Sequence, residues 1–96
     1  MSRTQYSDYK QYLKHKDSTY YYNSSKKLQD SGSVDYTLIS ITFYKSLLLD
    51  KTNVDAEYAL RTMISDSQIT PEECISAKLT ARAELLLCYS VTDLKQ

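Results

Sequence analysis

The chain has 96 residues, 42% of them hydrophobic, with 12 basic and 12 acidic side chains and a formal charge of zero. That length makes one small domain around one core, and the balanced charge excludes a strong global field of the kind that recruits nucleic acid or anionic lipid. No apolar run approaches the roughly 20 residues of a membrane span, and the opening MSRTQYSDYK has no signal-peptide apolar region, so an intracellular chain with no membrane partner is expected.

Charge and aromatics are concentrated at the start. Residues 1–30 hold Arg3, Lys10, Lys14, Lys16, Lys26 and Lys27 against Asp8, Asp17 and Asp30. In the same stretch Tyr6, Tyr9, Leu13, Lys16 and Tyr20, then Tyr21 and Leu28, approximate helical spacing. A helix is predicted over most of residues 4–29, with 17-DST-19 as the place where it would break. Gly32, the only glycine, suits the left-handed residue that closes a helix.

The next segment, 34-VDYTLISITFYKSLLLD-50, is ambiguous. Ile39, Ile41 and Phe43 alternate as in a strand, whereas Leu38, Ile41, Tyr44 (or Lys45) and Leu48 keep the 3–4 spacing of a helix. Its length and the availability of Ser33 as an N-cap favour the helix. Beyond it, 52-TNVD-55 is a capped start for a short helix with Ala56, Ala59, Leu60, Met63 and Ile64 on one stripe, ending near 66-DSQ-68.

The last segment carries the fullest start signal. The Thr70 hydroxyl can accept a free helical N–H, Pro71 falls where no N–H is needed, and Glu73 can reach back to Thr70. Ile69 and Cys74 occupy the two positions of a hydrophobic staple, and Glu72 and Glu73 suit the positive end of the helix dipole, so this carboxylate pair reads as capping. A helix is predicted over residues 71–91, with Ile75, Leu79, Ala83 and Leu86 buried and Lys78, Arg82, Leu85 and Tyr89 forming a second, adjacent stripe. Cys74 and Cys88 would then lie about 21 Å apart on one helix, beyond disulfide reach, and are expected to be free buried thiols.

Shifting the chain by 38 residues sets 41-IT-42 on 79-LT-80, 47-LLL-49 on 85-LLL-87, Thr52 on Ser90 and Asp55 on Asp93. This suggests a repeated helix–turn–helix unit. A new helix would begin at 92-TDLKQ-96, leaving either a fragment, a chain completed by a partner, or a last helix that frays at Gln96. With Ala56 and Ala59 opening one helix and Pro71 preceding the next, the arrangement resembles a divergent tetratricopeptide-type array over roughly residues 18–94. It departs from that family's 34-residue spacing and lacks its Leu-Gly pair. The segment 77-AKLTARAELLL-87, with Thr92 and Leu94, is further similar in flavour to the repeats of the cohesin-loading machinery.

The expected fold is therefore all-α: one domain over 1–96 of four helices, or five if the first is broken, stacked as antiparallel hairpins. It comprises a Tyr/Lys-rich segment at 1–30 and a repeat-like segment at 33–96. The resemblance implies a non-catalytic protein-binding or scaffolding module, with Tyr44, Lys78, Arg82, Leu85 and Tyr89 facing a protein partner or a second copy. The alternative for Tyr44, Leu47 and Leu85 is further core. A second function class, small nucleic-acid-binding protein, would use Tyr20, Tyr21, Tyr22, Lys26 and Lys27 to stack bases and track phosphates. Catalysis, metal and cofactor are not expected. His15 is the only histidine, the two cysteines lack metal-binding spacing, Cys74 has no activating base nearby in sequence, and one glycine cannot build a phosphate loop.

Overall fold

The computed structural model describes residues 3–90 and Leu94. Apart from Leu94, the expected helix start at 92-TDLKQ-96 lies outside the described residues, as does the side chain of Tyr6. The described residues form four helices: α1 (Arg3–Asp30), α2 (Tyr36–Leu49), α3 (Val54–Ser65) and α4 (Pro71–Leu85). At 1.5 Å per residue α1 is about 42 Å long, which accounts for most of the 47 Å long axis of the molecule. The segment 34–50, which also fits a strand, is helical, and among the described residues there is no strand. No helix among them is long and apolar enough to cross a membrane.

α1 is unbroken at 17-DST-19, so of the two alternatives the four-helix one holds, because each of those polar groups has a partner that leaves the helix intact. The Asp17 carboxylate accepts from the Tyr89 hydroxyl. Thr19 Oγ1 donates to the His15 carbonyl of its own helix at 3.2 Å. Ser18 faces α2 and is fully buried. α1 and α2 run antiparallel, as three pairs show: His15 with Asp50, Ser18 with Ser46, and Ser25 with Ile39.

The seam between these helices is polar. Ser18 Oγ donates to the Ser46 carbonyl at 2.8 Å, and Ser46 Oγ donates to the Ser18 carbonyl at 2.8 Å. Both hydroxyl hydrogens are thereby committed, so the 3.0 Å approach of the two Oγ atoms has no proton to share. Asn53 supplies the missing donors: its Nδ2 lies 3.1 Å from Ser18 Oγ and 2.9 Å from Ser46 Oγ. Its Oδ1 accepts from the Ala56 N–H and so caps α3. One amide thus ties α3 to the α1–α2 seam with every polar atom used, which is what makes a buried polar network tolerable. Two turns further on, Ser25 Oγ donates to the Ile39 carbonyl at 2.7 Å.

α2 is the hub, packing against α1, α3 and α4, whereas α4 lies mainly on α2. The buried face of α2 is Ile39, Ser40, Thr42, Phe43, Ser46 and Leu49, and Leu38 is exposed. The predicted Leu38, Ile41, Tyr44, Leu48 stripe is displaced because small hydroxyl residues, not only apolar ones, fill the close α1 contact. Asp35, not Ser33, is the N-cap, accepting from the Leu38 N–H at 3.0 Å. Phe43 and Ile39 join Ala56, Leu60 and Met63 of α3, together with Ile69 and Cys74, in one core.

The start of α4 matches the sequence reading closely. Thr70 accepts from the Glu73 N–H at 3.1 Å, Glu73 accepts from the Thr70 N–H at 2.8 Å, and both staple residues, Ile69 and Cys74, are buried in the core. The staple also decides which face of α4 turns inward. With Cys74 down, Ala77, Ala81 and Leu85 follow at three- and four-residue steps, and these are the buried positions. Ile75, Leu79 and Ala83, expected in the core, are exposed, Ile75 and Leu79 at 65% each, and Leu86 is half-buried. α4 ends at Leu85, not near residue 91, so Cys88 is an exposed thiol and only Cys74 is a buried one.

A local motif does repeat, at a spacing of 35 residues instead of 38. α1 closes with Ser33 N–H to Leu28 O and Gly32 N–H to Gln29 O, and α3 closes with Gln68 N–H to Met63 O and Ser67 N–H to Ile64 O. Both are Schellman closures with a left-handed residue, Gly32 at φ 80° and Ser67 at φ 57°. The N-caps Asp35 and Thr70 keep the same spacing. The packing that follows does not repeat, since α2 folds back along α1 whereas α4 crosses to α2.

Candidate partner-binding surfaces

The five residues assigned to partner binding do not share a surface. Leu85 is 1% exposed and belongs to the core, so it is removed from the candidate interface. Tyr44 is half-buried against the core, with its hydroxyl on the Cys74 thiol, and is pushed up to about 12 by burial first and by that hydrogen bond second. Tyr89 is half-buried and tethered to Asp17 of α1. Its hydroxyl is held well above the usual phenol range, by burial first and then by the hydrogen bond to Asp17 and its charge. Only Lys78 and Arg82 stand free on the outside of α4. The alternative of further core therefore accounts for Leu85 and for most of Tyr44.

The five residues assigned to nucleic acid are also divided, because consecutive helical residues point about 100° apart. Tyr20 is exposed and meets Tyr21 edge-on with ring centroids 5.4 Å apart. Tyr21 lies under Lys45, whose Nζ is 5.4 Å from the ring centroid, and near Tyr89. Burial raises the Tyr21 phenol, partly countered by the Lys45 charge. Tyr22 points to the other side, where its ring packs against Phe43 at 5.8 Å, and Lys26 lies one turn further on that same side. Lys27 is exposed. These residues make no continuous basic track.

Tyr22 and Lys26 instead help form a groove of about 530 Å³ between the end of α1, the 31–36 turn and α3. Tyr22, Tyr36 and Tyr58 supply its aromatic walls, Val34 and Met63 its aliphatic contacts, and Lys26, Asp55 and Asp66 its charges. Two of these residues stand nearly free: Tyr58 is 73% exposed and Val34 78%. Val34 is informative because it occupies the staple position before the Asp35 cap, as Ile69 does before Thr70. Ile69 is 4% exposed, so the staple closes at α4 and is left open at α2. Sequence reasoning passed over Val34 and Tyr58; the one available signal was that Tyr58 falls off the Ala56–Leu60–Met63 stripe of α3.

Chemistry elsewhere is sparse. His15 Nδ1 lies 3.0 Å from Asp50 Oδ2, but the hydroxyl beside this pair, that of Thr52, donates to the Asp50 carboxylate and is not held on the imidazole. The Thr52 bonds are the main reason that the Asp50 carboxyl sits below its ordinary value; burial opposes this and His15 adds to it. Among the described residues no group of three or more metal-ligating side chains converges. Compared with protein-family models, curated proteins and solved structures, the chain finds no match, so its functional reading rests on these surfaces.

Proposed function

We propose that this protein is a non-catalytic protein-interaction module whose groove between α1 and α3 takes an extended, basic and apolar peptide segment of a partner. The open staple at Val34, beside three tyrosines, carries this reading. It leaves an aliphatic side chain and an exposed Tyr58 in a concave surface, and aromatic anchors of this kind supply most of the binding energy in protein interfaces. The two aspartates against one lysine favour a basic ligand and oppose a phosphate backbone. The tetratricopeptide-type resemblance implies peptide binding in a concave helical surface, and the 35-residue cap spacing is compatible with it. The division of Tyr20 and Tyr21 from Tyr22 and Lys26 weighs against the nucleic-acid reading.

The test is a fluorescence-anisotropy titration of the full chain with a labelled extended peptide alternating arginine and leucine, and separately with a single-stranded oligothymidylate. Peptide binding that falls about tenfold or more in Tyr58→Ala and Val34→Asp, with circular dichroism unchanged, supports the groove. Oligonucleotide binding that weakens steeply with salt, with no peptide binding, would replace this reading by the nucleic-acid one.

A further inference from the structure

Glu72, Ile75, Leu79, Arg82 and Leu86 of the α4 region follow one another at steps of three, four, three and four residues. The first four are exposed and the fifth is half-buried, so this row forms the outer edge of α4, opposite the Cys74–Ala77–Ala81–Leu85 face that meets α2. The step pattern is that of a coiled-coil seam, in which every residue of the row faces the same neighbouring helix. Glu72 and Arg82 form no ion pair among the described residues, so both charges remain available at the ends of the row.

We infer that this edge is a self-association surface, on which α4 of a second copy of the chain packs antiparallel about a two-fold axis. The inference deepens the proposed protein-interaction role and rests on it, but it uses a different face from the groove. A second copy is singled out by register. With the axis at the level of Ala77, Ile75 of each chain lies opposite Leu79 of the other, and the same axis sets Glu72 of each chain opposite Arg82 of the other. The apolar and charged pairs are therefore satisfied by one placement, which is the self-complementarity that a two-fold interface requires. Antiparallel helix dipoles add to the attraction, and the zero formal charge of the chain leaves no long-range repulsion between copies. The apolar part spans only two layers, so the dimer is weak, with a Kd on the order of micromolar or higher.

The test is sedimentation equilibrium of the full chain over a range of concentrations, with circular dichroism as the check on folding. The wild type is expected to dimerise. Leu79→Glu, at an exposed site that does not threaten the fold, raises the dimer Kd at least about 100-fold, because the charge enters the seam twice. Glu72→Arg alone and Arg82→Glu alone each raise it roughly tenfold, and the two together restore it, since the charge pair is re-formed with its signs exchanged. A chain that stays monomeric at every concentration, or a dimer indifferent to Leu79→Glu and to the charge exchange, overturns the inference. Either result leaves the groove reading to be judged by Tyr58→Ala, so the two can fail independently.

Discussion

Ser46→Ala is the sharpest probe of what holds this fold together. The substitution removes the bond donated to the Ser18 carbonyl, worth about 0.5–1.5 kcal/mol net, and leaves one hydrogen of the Asn53 amide facing a methyl group, a buried unsatisfied donor costing about 1–3 kcal/mol. Alanine recovers about 0.5 kcal/mol through its higher helix propensity. The expected net loss is about 1–4 kcal/mol, which for a chain of 96 residues lowers Tm by at least about 4 °C. Urea denaturation followed by far-ultraviolet circular dichroism measures it. Ser24→Ala is the control, because the Ser24 hydroxyl donates only to the Tyr20 carbonyl of its own helix, and this variant is expected to be neutral or slightly stabilised. Asn53→Asp separates the two roles of Asn53: it keeps an oxygen to cap α3 but has no hydrogen for either serine, so it is expected to lose at least as much as Ser46→Ala at neutral pH. If Ser46→Ala lies within about 0.5 kcal/mol of wild type, indistinguishable from Ser24→Ala, the closed network contributes nothing beyond packing and the reasoning fails.

The two Schellman closures predict opposite responses to opposite changes at their left-handed residues. Gly32→Ala is expected to cost about 1 kcal/mol through its left-handed backbone alone, since an added Cβ meets nothing within 4 Å, and Ser67→Gly is expected to stabilise by a similar amount; thermal melts of both decide this. Thr70→Ala removes the bond that the Thr70 hydroxyl accepts from the Glu73 N–H, while the backbone N–H of residue 70 can still donate to Glu73, and should cost about 1 kcal/mol in urea titrations, whereas Thr70→Ser should retain nearly all of the cap. Alkaline pH should destabilise the chain. Tyr89 and Tyr44 both have folded values above the ordinary phenol value of about 10, so their contribution is fully present below that pH and is lost as pH rises through the folded values. Stability measured against pH should fall less steeply above about pH 10 in Tyr89→Phe and in Tyr44→Phe; profiles parallel to the wild type would show that these hydroxyls are not coupled to folding.

The features legible in the sequence are those decided within a few residues along the chain. The Thr70–Glu73 box, Pro71, the Ile69–Cys74 staple, the left-handed Gly32 and the all-α class depend on groups that are neighbours in any conformation the helix ends adopt, so residue type and spacing suffice. Tertiary structure alone decided the burial of Ser18, Ser25 and Ser46, because a hydroxyl enters a core only where another helix presents a carbonyl to it. It also decided which face of α4 turns inward, since Ile75 and Leu79 are as apolar as the residues that are buried and only docking on α2 distinguishes them. For the groove, the sequence offered Tyr22 and Lys26 as aromatic and basic residues. Their meeting with Val34 and Tyr58 depends on a staple that closes before α4 and stays open before α2, a difference set by where each helix lands after the same turn.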